Sequence, residues 1–199
     1  MELRTARLRL RPYEPADFEM LFTGLVLDPA VIHFWRDYAD PALPVAEKRA
    51  MAEHDLGSWI EEGMAAGCPT WVLEAVDPAV GAPGDFVGVA GVFPAQNEWG
   101  PEPEVGCLLV SRHHGRRLAT EALSAVIADA TERLEIPVLV AVVDEPNVAS
   151  IRLAENCGFV LERSFTGSDG TPAGGTRGRF HRPRRDNGAH GTPRPRRSP

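Results

Sequence analysis

Residues 104–134 constrain this chain more than any other stretch, because within them the apolar spacing changes from that of a strand to that of a helix. The run Val105-Gly106-Cys107-Leu108-Leu109-Val110 has strand length and ends at the polar cluster Ser111-Arg112-His113-His114-Gly115-Arg116-Arg117. Leu118, Ala122, Leu123, Val126, Ile127, Ala130 and Leu134 then recur on one helical face, opposite Glu121, Asp129, Glu132 and Arg133, which predicts an amphipathic helix of about five turns. A helix that opens directly behind a strand leaves its first N–H groups unpaired and convergent, with roughly half a positive charge. Such a turn is an anion site by construction. Gly115 admits close backbone approach, and Arg112, His113, His114, Arg116 and Arg117 add positive potential, which suits a phosphate-bearing ligand. An ordinary strand-to-helix connection with a solvated basic turn has the same spacing, so both readings stand at this level. The stretch lacks the Gly-Lys-Ser/Thr ending of a nucleotide-triphosphate loop and two of the three glycines of the dinucleotide fingerprint.

Charge is unevenly placed around this centre. Of a net −7, residues 166–199 carry eight Arg and two Asp, a local +6, which leaves −13 on residues 1–165. An acidic body argues against a specific nucleic-acid face and suits a cationic partner such as an amine, although negative charge also serves plain solubility. The three cysteines, Cys68, Cys107 and Cys157, are scattered and odd in number, the pattern of reduced thiols in a cytoplasmic protein. The N-terminal Met1-Glu2-Leu3-Arg4-Thr5-Ala6-Arg7 has no apolar core of signal-peptide length, and no run approaches the roughly 20 apolar residues of a membrane span. His113 and His114 are adjacent without a third ligand at fixed spacing, so no metal site is predicted.

In chain order, Thr5–Pro12 alternates Arg7, Arg9 and Arg11 with Leu8 and Leu10, the period of a first strand. Pro15, Asp17 and Glu19 favour a helix start. Asp28-Pro29 caps a short helix through about Arg36, and Pro44 opens a longer one with Met51, Leu56, Trp59, Ile60 and Met64 on its apolar stripe. Thr70–Val76 and Asp85–Phe93 read as strands joined by a Pro- and Gly-containing loop, and Pro94–Pro103 as a turn. Ile136–Val143 is nearly all apolar, a strand buried on both faces and parallel to the one before the long helix. Asn147–Cys157 is a helix with Asn147 at its N-cap and Gly158 at its end, and Phe159–Phe165 returns as a strand. The predicted class is α+β, with helices flanking a mixed, mostly antiparallel twisted sheet. Thr166–Pro199, rich in Gly, Pro, Arg and Ser, reads as a basic disordered tail after a domain spanning 1–165.

Three motifs resemble one family. Arg112-His113-His114-Gly115-Arg116-Arg117 followed by Leu118-Ala119-Thr120-Glu121-Ala122 resembles the pyrophosphate signature Gln/Arg-x-x-Gly-x-Gly/Ala of the GNAT superfamily of acetyl-CoA-dependent N-acetyltransferases. Its Ala-Thr-Glu-Ala continuation, and the opening Thr5-Ala6-Arg7-Leu8-Arg9-Leu10-Arg11-Pro12 with Ala16-Asp17-Phe18, resemble the branch that acetylates protein N-termini, including those of ribosomal proteins (RimJ/RimL-like). The block Asn147-x-x-Ser150-x-x-x-x-Glu155-x-x-Gly158-Phe159 is similar to the family's motif beside the acetyl-CoA sulfur. Arg117 departs from the family's Gly or Ala, where a long side chain either crowds the phosphates or adds a contact to them.

The resemblance implies the acyl-CoA N-acyltransferase fold, with a central parallel strand pair that splays. It implies acetyl-CoA as cosubstrate, with no metal, and direct acetyl transfer to an amine or peptide N-terminus. Amides from Gly115 to Ala119, with Thr120, would hold the pyrophosphate, and the backbone of Cys107, Leu108, Leu109 and Val110 the pantetheine arm. Asn147 would orient that arm and Ser150 protonate the leaving thiolate. A helix cap and a packed hydroxyl are the competing readings of those two residues. Glu104 is the candidate base, or else a solvated strand-end carboxylate. The helical pair before residue 67 would border the acceptor cleft, with Trp35, Tyr38 and Trp59 either lining it or in the core. The family's last strand has no counterpart in the composition of the tail. A non-catalytic acyl-CoA-binding or interaction protein of the same fold is the alternative, and monomer and homodimer are equally open.

Overall fold

The computed structural model describes residues 1–93, 102–166 and 172–179, and at 36, 37, 59 and 172–179 the backbone alone. Strand β1 (Leu3–Arg4) turns into β2 (Leu8–Pro12), in which Leu8 and Leu10 are buried while Arg9 and Arg11 face the other side. β2 starts at Leu8 and not at Thr5 because Thr5 closes a turn: its N–H donates to the Leu8 carbonyl (2.9 Å), and the Leu8 N–H donates to the Thr5 hydroxyl (2.9 Å). The helix expected after Pro15 begins as a 3-10 turn, Pro15–Asp17, becomes α1 (Phe18–Leu21) and widens to a π-turn at Phe22–Val26. Asp28 caps α2 (Pro29–Ile32), its carboxylate accepting the Ala30 N–H at 3.0 Å. The single helix expected through Arg36 is two, since Trp35 leaves helical geometry before α3 (Arg36–Ala39). α4 (Val45–Ala65) buries Ala52 and Leu56. Met64, expected on its apolar stripe, instead borders a shallow surface groove with Tyr13, Ile60 and Pro69.

The remaining elements are β3 (Trp71–Ala75), β4 (Phe86–Phe93), β5 (Glu104–Leu109), α5 (Leu118–Arg133), β6 (Val138–Asp144), α6 (Val148–Asn156), β7 (Val160–Thr166) and β8 (Pro172–Arg179). The turn expected at Pro94–Pro103 lies almost wholly outside the described residues. The sheet order is β1-β2-β3-β4-β5-β6-β8-β7, antiparallel at every step except β5–β6, which is parallel. The missing last strand is therefore corrected for residues 172–179: β8 runs between β6 and β7, pairing Val140 with Arg177 on one side and Phe165 with Ala173 on the other. Residues 180–199, and with them the rest of the expected tail, lie outside the described residues.

Two cores separate the layers. On one face Leu118, Ala122, Leu123, Val126, Ile127 and Ala130 of α5 pack on Leu8, Leu10, Leu73, Val92, Val105, Leu109 and Leu139, the helical stripe and the strand alternation meeting as the periodicities require. On the other face Val72 and Val89 carry Leu21, Leu25 and Leu56 of the N-terminal helices. β3 is covered on both sides and is buried throughout, including Glu74, which is paired to Arg9 and Arg11. Gly88 lets β4 close on β5, since a Cβ there would stand 2.2 Å from the Leu108 carbonyl oxygen.

Candidate active site

The parallel strands β5 and β6 share one bridging pair, Glu104 with Val140, reinforced by the Val140 N–H donating to the Pro103 carbonyl at 3.0 Å. Beyond that bridge β5 keeps its ladder with β4 up to Leu109, while β6 pairs with β8. The strands thus part towards their C-terminal ends, as the resemblance to the splayed pair implied. The Val110 N–H donates to Val87 of β4 (3.0 Å). Because successive residues of a strand turn their amides to opposite sides, Leu108 also pairs towards β4, whereas Cys107 and Leu109 turn theirs towards the gap. Of Leu108, Leu109 and Val110, only Leu109 therefore offers backbone to the opening, and its carbonyl already meets the Nε2 of His114 at 2.9 Å.

Each parting strand is followed by a helix whose N-terminus lies at the same edge of the sheet: α5 behind β5 and α6 behind β6. α5 begins after a 3-10 turn, Ser111–His113, and a loop in which Gly115 has φ 72° and open space where a Cβ would sit. Arg117 occupies the N-cap with φ 59°, left-handed, and its carbonyl accepts the Glu121 N–H at 3.2 Å. Leu118, Ala119 and Thr120 form the first turn, where backbone N–H groups have no partner inside the helix.

The basic side chains divide differently from what the sequence implied. Arg112 donates to the Phe86 carbonyl (2.9 Å), and Arg116 donates to the carbonyls of Ala79 and Val80, tying the turn to the β3–β4 loop. His113 is 3% exposed, and its imidazole is held below its usual pKa by burial and by the neighbouring Arg112 and Arg116. It is a packed ring whose Nδ1 lies 3.3 Å from the Arg116 guanidinium, with little surface to offer a ligand. Arg117 is exposed, and no described hydrogen bond or ion pair engages its guanidinium.

At the start of α6, the Asn147 side-chain Oδ1 accepts the Ser150 N–H at 3.1 Å, the helix-cap role that was one of its two readings. Ser150 is half-buried in the first turn of α6. Glu104 is half-buried at the bridged end of β5, the closed apex of the gap. Burial, with the Cys157 thiol nearby, pushes Cys107 up to about 12, so it is no thiolate nucleophile at neutral pH. Among the aromatics proposed for the acceptor side, Tyr38 is buried with its hydroxyl on Asp55 (2.7 Å) and Trp35 packs against its ring. The side chain of Trp59 lies outside the described residues.

Two connections escaped the sequence reading. The Asp28 carboxyl that caps α2 is held below the usual carboxylate range, first by the Ser111 hydroxyl, which joins the N-terminal helices to the turn. The Glu121 carboxylate, placed on the solvent face of α5 by its spacing, is gripped by Thr5 and Arg7. Both partnerships span long sequence separations. Only the Thr5–Arg7 pattern, singled out for another reason, hinted at the second.

Among proteins similar to this chain, YkkB of Bacillus subtilis, an uncharacterized protein, is 31% identical over 82% of this chain and 88% of its own length. An acetyltransferase from Agrobacterium tumefaciens superposes with a TM-score of 0.68 at 28% identity, covering 92% of this chain and 95% of the other. The ribosomal L7/L12 N-terminal acetyltransferase RimL, solved in complex with coenzyme A, superposes with a TM-score of 0.67 over 90% and 98% of the two chains, and at 14% identity that likeness is one of fold. The sequence itself matches the acetyltransferase (GNAT) domain over residues 7–160, most of its length. Those residues take in β2, the basic turn and both helices that face the gap, and the chain belongs to the GNAT acetyltransferase family.

Proposed function

We propose that this protein is an acetyl-CoA-dependent N-acetyltransferase that acts by direct transfer on a primary amine, with a protein or peptide N-terminus the first acceptor to try. The observation that carries the reading is the gap between β5 and β6, flanked by two helix N-termini, with Gly115 leaving open space at the anion-binding one. A diphosphate fits that donor set, since the amides of Gly115, Leu118 and Ala119 are hydrogen-bond donors at a helix start and the Arg117 guanidinium, exposed and without a partner among the described residues, is a cation. When bound, acetyl-CoA supplies the activated acetyl thioester. A gap-facing N–H, that of Cys107 or of Leu109, polarises the acetyl carbonyl. Glu104 takes a proton from the amine, directly or through a water, and Ser150 Oγ–H gives one to the leaving sulfur and recovers it from solvent. The acidic body draws protonated amines towards the protein.

A second reading, an acyl-CoA-binding protein without turnover, rested on Arg117 and on an absent last strand. With β8 present, Arg117 alone supports it. Calorimetric titration with acetyl-CoA, followed by an acetylation assay on a panel of peptides and small amines, separates the two. Binding with turnover is the expected result, binding without turnover on any acceptor supports the second reading, and no binding refutes both.

A further inference from the structure

The turn between β1 and β2 reaches the junction on which the proposed coenzyme site depends. Glu121 sits one turn into α5, where a carboxylate suits the helix dipole but repels a bound diphosphate. It is gripped from three directions. The Thr5 hydroxyl donates to Oε1 (2.5 Å), the Arg7 N–H to the same oxygen (2.8 Å) and the Arg7 Nε to Oε2 (2.7 Å). With its remaining arm Arg7 donates from Nη1 to the Arg116 carbonyl at 3.2 Å. The grip is anchored, since Thr5 is locked into its turn with Leu8 and Leu8 is buried in the core.

That last contact has a directional consequence. In a planar trans peptide the C=O of Arg116 and the N–H of Arg117 point opposite ways. Holding the carbonyl towards Arg7 therefore turns the Arg117 N–H away from Arg7. The next peptide is held as well, by the Glu121 N–H on the Arg117 carbonyl. Both peptides flanking Arg117 are thus fixed, which is how a non-Gly residue keeps a left-handed backbone there.

We propose that Arg7 is a positioning residue of the coenzyme site: clamped on Glu121, its guanidinium holds the Arg116 carbonyl so that the Arg117 N–H is aimed at the diphosphate. This rests on reading the turn as a coenzyme A site. The test is calorimetric titration with coenzyme A alone, alongside thermal melting and kcat at saturating acetyl-CoA. Arg7→Met weakens coenzyme A binding about 10- to 50-fold. Arg7→Lys restores the charge against Glu121 but cannot reach both partners, so it melts within a few degrees of wild type and still binds at least about fivefold more weakly. In both variants kcat stays within about threefold of wild type, whereas a merely structural strut would lower the active fraction and leave Kd alone. Arg7→Met combined with Glu121→Gln stays weak if the aim of the amide matters. Wild-type affinity in that double variant, or in Arg7→Lys, would overturn the proposal. A wild type that takes up no coenzyme A refutes the function reading itself, a distinct outcome.

Discussion

Arg117 holds a backbone conformation that costs an L-residue about 1–2 kcal/mol and a glycine nothing. Its guanidinium is the basic side chain of the turn with no described partner, which makes a phosphate contact the simplest use for it. Arg117→Gly is expected to melt at or slightly above the wild-type temperature and to bind coenzyme A about three- to tenfold more weakly. Unchanged affinity in a titration would mean that the side chain turns away from the phosphates. Ser150 carries the other residue-scale expectation. With its N–H used by the Asn147 cap and its hydroxyl proposed as the proton donor, Ser150→Ala should lower kcat by about 10²-fold while coenzyme A affinity stays within about threefold. A wild-type kcat would remove Ser150 from the mechanism. The positive character of residues 112–117 was legible in the sequence, but its use was not. Arg112, His114 and Arg116 are tied to the carbonyls of Phe86, Leu109 and Ala79, and only folding brings the β3–β4 loop to the turn.

At the scale of elements, α5 was the most readable part of the chain, because six of the residues on its apolar stripe, from Leu118 to Ala130, are buried as spaced. Spacing put Glu121 on the face opposite the apolar stripe and gave it no partner, because spacing gives a face and not a partner. Burial alone would raise its pKa, but the Thr5 hydroxyl, the Arg7 side chain and the Arg7 N–H outweigh that and hold it below the usual carboxylate range. A carboxyl with a depressed folded pKa contributes stability that is fully present above its unfolded pKa, about 4.3, and is lost as pH falls through the folded value. Thermal melts between pH 3 and 8 are therefore expected to be level near neutrality and to fall below about pH 4.5. The fall should be shallower in Glu121→Gln, and identical acid limbs in the two proteins would contradict the linkage. Asp17, held low by Arg11 against the effect of burial, adds a slope of the same sign that Glu121→Gln leaves in place.

The whole molecule is a sheet parted at one seam, with helices on both faces. Its class, the parallel β5–β6 pair and the order of its elements followed from the switch between strand and helix periods. The last strand did not. Pro172-Ala173-Gly174-Gly175-Thr176-Arg177-Gly178-Arg179 has no apolar alternation, and it is a strand because β6 and β7 offer it backbone partners on both edges. Ending the chain after residue 171 would leave both strands unpaired along those edges, and the truncated protein is expected to lose cooperative melting or to melt more than about 10 °C lower. An unchanged melt would show that β8 contributes nothing to the sheet. In the proposed function the turn and the first amides of α5 hold the diphosphate of coenzyme A. The most direct measurement of that hold is the set of backbone amide chemical shifts recorded as coenzyme A is added. Saturable changes are expected, largest at Gly115, Arg117, Leu118 and Ala119. Saturation without movement of those amides, or no change at millimolar coenzyme A, would contradict that hold.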